Sequence, residues 1–176
     1  PVSIERIKGK LAAIVMGWHP GTMAGPALSD LLTGKSNFSG RLPVTWPKTS
    51  GQVPIYYNHT NTGRPADAKS YVAFEEVPIE AWQSSLGNTS HYMDLGFTPQ
   101  YPFGYGLSYS NFEYSDLRLS SSTLGKVGSI QVSARVRNTG ARDGVEVVQL
   151  YVRDLVADRA RPIRELKGFE RIELQA

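Results

Sequence analysis

An α/β portion followed by an all-β portion is the fold class that this sequence predicts, and three observations carry the prediction. An unbroken apolar run, Leu11 to Met16, leads straight into a segment with helical period. Prolines and isolated aromatic residues then replace any regular period over the middle of the chain. Past residue 110 apolar and polar residues alternate strictly, the mark of half-buried antiparallel strands.

The run "LAAIVM" reads as a strand covered on both faces, the kind found in parallel sheets. It ends in "GWHPG". In "GTMAGPALSDLLTG" the apolar residues Met23, Ala27, Leu28, Leu31 and Leu32 recur at helical spacing, and Gly34 stands where a helix would stop. A parallel strand needs hydrogen-bonding neighbours, so one strand and one helix cannot bury each other and partners are expected from elsewhere. Between Ser36 and Pro65, Pro43, Pro47, Pro54 and Pro65 exclude long helices. Short strand pieces are expected around "RLPVTWP" and "VPIYYN", and a long ordered loop over residues 66–100.

The passage "YPFGYGLSYSNFEYS", Tyr101 to Ser115, crowds rings and glycines together with little charge. Rings bring buried area at small rotamer cost, while Gly104 and Gly106 permit backbone angles that other residues avoid. Such a passage suits a seam between two packed bodies, or the core of the first strand that follows. Beyond it Ile130, Val132, Ala134 and Val136 face one way and Gln131, Ser133, Arg135 and Arg137 the other. "NTGARDG" supplies a hairpin-type turn into Val145–Val152, and Phe112–Leu119 and Phe169–Leu174 complete four strands of a β-sandwich. A sandwich of this type takes about 100 residues and seven strands, whereas only 66 residues run from Asn111 to Ala176. With an α/β sheet short of strands at one end and a sandwich short of strands at the other, the sequence reads as an internal piece of a larger protein.

Composition is that of an ordinary globular chain: of 176 residues, 40% are hydrophobic and 20% charged, with a net charge of +3. The small, dispersed excess of basic residues argues against nucleic acid as a partner, and the arginines between Arg153 and Lys167 read as a solvated loop. The absence of cysteine removes disulfides, thiolate metal sites and thiol nucleophiles together. No apolar run approaches the roughly 20 residues that cross a bilayer.

Local motifs for chemistry are sparse. "TGKS", Thr33 to Ser36, resembles the end of a phosphate-binding loop, but Ser29 occupies the place of its first glycine and the motif follows a helix instead of preceding one. His19, His59 and His91 lie too far apart for a local metal motif, so no metal site is assigned. Glu75, Glu76, Glu80 and Asp94 could serve as acids, although retaining sugar hydrolysis leaves no local spacing by which to recognise its two carboxylates. The triplets at Asn37, Asn58 and Asn88 fit the glycosylation pattern.

Taken in order, "GWHPGTMAGPALSDLLTG", "SGRLPVTWPKTSGQVPIYYNHTNTGRP" and "YPFGYGLSYSNFEYS" resemble the carboxyl-terminal region of glycoside hydrolase family 3, the β-glucosidase and β-xylosidase type. The resemblance runs nearly the full chain. It implies that residues 1–50 are the end of the family's α/β sandwich domain. Residues 51–110 would be an extended linker, long loop and aromatic docking segment, and residues 111–176 an incomplete fibronectin type III-like β-sandwich. Met23 and Ala24 depart from the glutamate and glycine that many members carry there. The family's nucleophile and acid/base motifs lie outside the matched passages, so no catalytic residue is assigned in this chain, and the chain alone is expected to be inactive.

The activity implied is that of an exo-acting retaining β-glycosidase, a β-glucosidase by preference, without cofactor. Its partners would be an oligosaccharide or aryl-glycoside substrate, the missing barrel and sandwich portions of the same protein, and a second copy in a homodimer. No nucleic acid or membrane span is implied, and export to the periplasm or beyond is expected. The rival reading is a non-catalytic carbohydrate-binding or interaction protein built from the same modules. One substrate-proximal loop is expected, carrying Trp82, His91 and Tyr92, because aromatic faces stack on sugar rings and long ordered loops are commonly functional.

Overall fold

In the computed structural model, which describes residues 2–80, 89–92 and 94–176, the chain divides into two compact units. The first comprises Pro1–Met16, Arg41–Tyr105 and Gln149–Phe169, and the second Gly17–Gly40, Gly106–Val148 and Glu170–Ala176.

The first unit is organised around Trp46. Apolar burial and backbone pairing meet at this residue, which is only 3% exposed. Its indole N–H donates to the Val2 carbonyl at 2.9 Å, and its ring meets Tyr101 edge-on at 6.1 Å. The stretch predicted to hold short strand pieces, Leu42 to Trp46, runs antiparallel to Gln100–Tyr105. Leu42 N–H donates to the Tyr105 carbonyl and Trp46 N–H to the Tyr101 carbonyl, both at 2.8 Å. Gly104 N–H and Gln100 N–H return bonds to the Leu42 and Trp46 carbonyls, also at 2.8 Å. Prolines at positions 43 and 47 lack an N–H, which keeps this pairing short.

The predicted buried strand Leu11–Met16 does not form. These residues are extended but belong to no ladder, and Leu11, Ile14 and Val15 stand about 40% exposed. A strand is held by bonds to a neighbour, and no other described segment pairs with this one. Residues 66–80, 89–92 and 94–100 carry no regular element beyond the short turn Phe74–Glu76, and the rest of the expected loop lies outside the described residues.

In the second unit helix α1 spans Ala24–Leu32, as its period predicts. It stops where expected: Gly34 takes a φ of 77°, and the N–H groups of Thr33, Gly34 and Ser36 close back on the carbonyls of Ser29, Leu31 and Asp30. Strands β1 (Phe112–Leu119) and β2 (Val132–Asn138) pair antiparallel, with Phe112 opposite Asn138 and Leu119 opposite Val132. The register slips between Ser115 and Arg118, where Asp116 adopts a φ of 52° and pairs with Arg135 at 3.2 Å, as in a β-bulge.

Strands β3 (Gly144–Val152) and β4 (Glu165–Leu174) form a second two-stranded sheet. "NTGARDG" is therefore not a hairpin turn. It carries the chain from the sheet of β2 into the sheet of β3, the crossover that a two-sheet sandwich requires. Buried Asn138 organises the passage: its side-chain oxygen accepts from Gly140 N–H at 2.9 Å and its amide donates to the Arg142 carbonyl at 2.7 Å. Within the second unit Tyr114 of β1 donates to the buried Glu146, in the first half of β3, at 2.9 Å. No helix among the described residues is long and apolar enough to cross a membrane.

Candidate functional site

The long loop of the first unit gathers polar and aromatic groups around one buried amide. Gln52 is fully buried, accepting from Lys48 N–H at 2.7 Å and donating to the Thr98 carbonyl at 3.5 Å. Burial of an amide is tolerated only when its polar atoms are paired, and here those pairs tie residues 48–52 to the far end of the loop. Tyr92 adds a third tie, donating its hydroxyl to the Gln52 carbonyl at 3.3 Å, and Lys48 Nζ donates to the Leu95 carbonyl at 2.8 Å.

Tyr71 is the aromatic pivot. His91 meets its ring edge-on at 5.0 Å and Phe97 at 5.8 Å, geometries that place a positive ring edge against a negative face. Gly96, at a φ of 75°, closes a turn through its N–H to the Tyr92 carbonyl at 2.8 Å. A side chain at Gly96 would stand 3.5 Å from the Tyr71 ring, so the backbone and the ring are in close contact there. Upstream, the Asp67 carboxylate accepts from the amides of Lys69 and Ser70 and from the Ser70 hydroxyl, at 2.8 to 2.9 Å. These bonds, the Ser70 hydroxyl foremost, hold its carboxyl below the ordinary aspartate value.

Against this framework lies a cleft of about 260 Å³ lined by Glu5, Lys48, Tyr71, Asp94, Leu95, Gly96, Phe97 and Thr98. It offers two carboxylates, an ammonium, two hydroxyls and two rings. Such a set can hold a small polar molecule with an apolar face.

Of the predicted loop residues, His91 and Tyr92 anchor this framework, while Trp82 lies outside the described residues. His91 shares a 2.8 Å hydrogen bond between Nδ1 and the Thr89 hydroxyl, and its Nε2 is buried without a partner among the described residues. Of the candidate acids, Asp94 lines the cleft, whereas Glu76 reaches back to the Ala73 N–H at 3.3 Å and Glu75 and Glu80 are exposed. Asn37 donates to Ser110 Oγ and the Asp143 carbonyl and accepts from Ser108 and Tyr109, so this glycosylation triplet is built into the fold, while Asn58 is exposed. Among the described residues no group of three or more His, Asp or Glu side chains converges in a metal-binding arrangement. Lys48, Gln52, Tyr71 and Phe97 escaped the reading of the sequence, since they meet only through contacts between distant segments.

A second aromatic group involves the passage Tyr101–Tyr105. Phe103 stacks on Tyr57 at 4.2 Å and 14°, and Tyr57 meets Tyr151 edge-on at 6.1 Å. Arg164 lies 5.9 Å from the Tyr151 ring centre. Gln149 donates to the Gly104 carbonyl at 3.0 Å and accepts from the Tyr151 hydroxyl at 2.7 Å. Burial pushes the Tyr151 phenol above its ordinary value; the Arg164 charge opposes the rise and Tyr57 adds to it. The same passage continues into the second unit, where Tyr109 packs on Phe38 at 5.5 Å and donates to the Leu31 carbonyl at 2.9 Å.

Comparison with known proteins places these features in context. Residues 1–109 match the family model described as the glycosyl hydrolase family 3 C-terminal domain, and residues 146–176 match a fibronectin type III-like domain. A periplasmic β-glucosidase of Salmonella typhimurium is 42% identical over 175 residues, covering 99% of this chain and 21% of the relative. A β-xylosidase of Formosa agariphila is 35% identical over 175 residues, again with 99% and 21% covered. The crystal structure of a β-glucosidase from Listeria innocua superposes with a TM-score of 0.85 at 39% identity, over 100% of this chain and 22% of that one. The chain thus spans about a fifth of the length of the curated relatives it matches.

Proposed function

From the premise that this chain belongs to glycoside hydrolase family 3, we propose that it is the carboxyl-terminal portion of an exo-acting retaining β-glycosidase, with terminal non-reducing β-D-glucosyl residues as its substrate. The observation that carries the reading is the superposition of the whole chain on a β-glucosidase. β-Glucosidases and β-xylosidases among the relatives span nearly all of this chain.

Retaining hydrolysis proceeds through a covalent glycosyl intermediate formed by one carboxylate while a second, about 5 to 5.5 Å away, acts first as acid and then as base. No residue of this chain is assigned either role. Its contribution is scaffolding and, through the loop of Trp82, His91 and Tyr92, contact with the substrate at the mouth of the active site. The family's α/β sandwich domain would end near residue 50. The linker, loop and aromatic docking segment would occupy residues 51–110, and the fibronectin type III-like part residues 111–176. The barrel and sandwich portions of the same protein would complete the enzyme, a second copy would complete a homodimer, and the periplasm or the exterior would be its compartment. Hydrolysis of this kind needs no metal or organic cofactor.

Expression of the complete protein followed by assay on p-nitrophenyl β-glucoside and β-xyloside tests the reading. Release of p-nitrophenol with retention of configuration is expected, faster for the glucoside. A complete protein that lacks both carboxylates, or binds these glycosides without cleaving them, overturns hydrolysis in favour of carbohydrate binding.

A further inference from the structure

We propose that Asn58 is a site of N-glycosylation, accepting an oligosaccharide from a polyprenyl diphosphate donor when the chain is exported past a membrane-bound oligosaccharyltransferase. The inference rests on the export proposed above and is independent of hydrolysis. Two Asn-X-Ser/Thr triplets lie wholly within the described residues, at Asn37 and Asn58, and a third begins at Asn88, outside them. The first two share a pattern and have opposite surroundings.

An asparagine amide can donate two hydrogen bonds and accept two. At Asn37 all four are made: Nδ2 donates to Ser110 Oγ and the Asp143 carbonyl, both at 3.0 Å, and Oδ1 accepts from the Ser108 hydroxyl and the Tyr109 N–H, both at 2.9 Å. A glycan replaces one of those N–H groups by a bond to carbon and puts a bulky sugar against Ser110 and Asp143. Arriving before folding or after it, the sugar is incompatible with this network.

Asn58, by contrast, is exposed, and its side chain has no hydrogen-bonding, ionic or ring partner among the described residues. Thr60, whose hydroxyl completes the triplet that the transferase reads, is exposed as well, and that hydroxyl is equally free. The flanks hold the acceptor in place. Tyr57 stacks on Phe103 at 4.2 Å and its hydroxyl accepts from the Leu166 N–H at 3.4 Å. On the other side the His59 carbonyl accepts from the Ile163 N–H at 2.9 Å and Thr60 pairs with Pro162. Asn58 thus sits at a turn, residues 57–58, that is fixed on both sides and open at its tip. In the transfer, Asn58 Nδ2 bonds to C1 of the first sugar and the bond from C1 to the diphosphate oxygen breaks. The polyprenyl diphosphate leaves with that electron pair, and a base of the transferase takes the amide proton.

The test uses the full-length protein, secreted from yeast behind a signal peptide. Peptide mass spectrometry after enzymatic deglycosylation in heavy-oxygen water should find the asparagine-to-aspartate mark at Asn58 and none at Asn37. Endoglycosidase should trim the Asn58 glycan from the native protein without prior unfolding. Asn58→Gln and Thr60→Ala should each abolish the modification. A bare Asn58, in a culture whose own secreted glycoproteins are modified, overturns the proposal. So does a glycan that endoglycosidase reaches only after denaturation, or a folded, secreted protein modified at Asn37. If the protein is not secreted, cell-free translation into microsomes supplies the same peptide reading, and a bare Asn58 there is equally decisive. Hydrolysis of p-nitrophenyl β-glucoside, measured on the same preparation, separates this site from the glycosidase reading. Glycan without hydrolysis refutes the glycosidase and leaves the site. Hydrolysis with a bare Asn58 does the reverse.

Discussion

Gly104→Ala is expected to destabilise the pairing of Leu42–Trp46 with Gln100–Tyr105 far more than a glycine-to-alanine change usually does. Gly104 has a φ of 78°, a conformation that costs an L-residue about 1 to 2 kcal/mol. Its added Cβ would also collide with the Gln149 side-chain carbonyl and stand 2.7 Å from the Tyr151 hydroxyl. Gln149 would have to move, breaking its bonds to the Gly104 carbonyl and from the Tyr151 hydroxyl, each worth about 0.5 to 1.5 kcal/mol. Reduced freedom of the unfolded chain returns about 0.4 to 1 kcal/mol, so the net loss is about 1 to 4.5 kcal/mol. Unfolding of a multidomain protein is not two-state, so local opening is the better measure. Amide exchange of the segments 42–46 and 100–105 in the full-length protein should accelerate about fivefold or more, since each 1.4 kcal/mol is a factor of ten. Gly168→Ala is the control: nothing lies within 4 Å of its added Cβ and no left-handed φ is involved, so exchange should be unchanged or slower. Exchange around Gly104→Ala within about threefold of the parent would refute the steric argument.

Asn138→Ala should cost about 1 to 3 kcal/mol, because it strands the Gly140 N–H and leaves the Arg142 carbonyl with the Ser110 hydroxyl alone at the crossover between sheets; faster exchange over 138–144 checks it, and Asn138→Asp should keep the bond from Gly140 while losing that to Arg142. The Asp67 carboxyl titrates below its usual value of 3.8 in the folded loop, so its contribution is present above that pH and is lost as pH falls through the lowered value. Exchange at Lys69 and Ser70, corrected for intrinsic rates, should rise on acidification in the parent and lose that pH dependence in Asp67→Asn. For Tyr151 the sign is opposite: its raised value gives stability that is present below pH 10 and lost as pH rises through the folded value, a loss that Tyr151→Phe abolishes. If the full-length protein is the proposed β-glucosidase, Trp82→Ala should raise its Michaelis constant for several glucosides about 2- to 10-fold, the range of one aromatic contact; unchanged Michaelis constant and turnover refute a substrate role for that loop.

What could be read in advance followed from local rules. The period of α1 and its stop at Gly34 were legible because side-chain spacing and a left-handed glycine act within one turn of chain. Alternation located β1, β2 and β3 to within a few residues, and the ordered motif set identified the family. The start of β4 lay earlier than its apolar pattern suggested, at Glu165, because backbone pairing with β3 extends past the residues that alternate.

Pairing was not legible, because a ladder belongs to two segments and neither encodes the other. The run Leu11–Met16 has the composition of a buried strand and remains unpaired, while "NTGARDG" has the composition of a hairpin turn and instead leads between sheets. The cleft is the clearest case: Glu5, Lys48, Tyr71 and Phe97 are dispersed along the chain, and they converge because the buried Gln52 and the ring of Tyr71 hold distant backbone together. Periodicity, turn chemistry and motif order thus reside in the residues themselves, whereas partners across space are chosen by which polar groups must be satisfied and which surfaces can be covered at once.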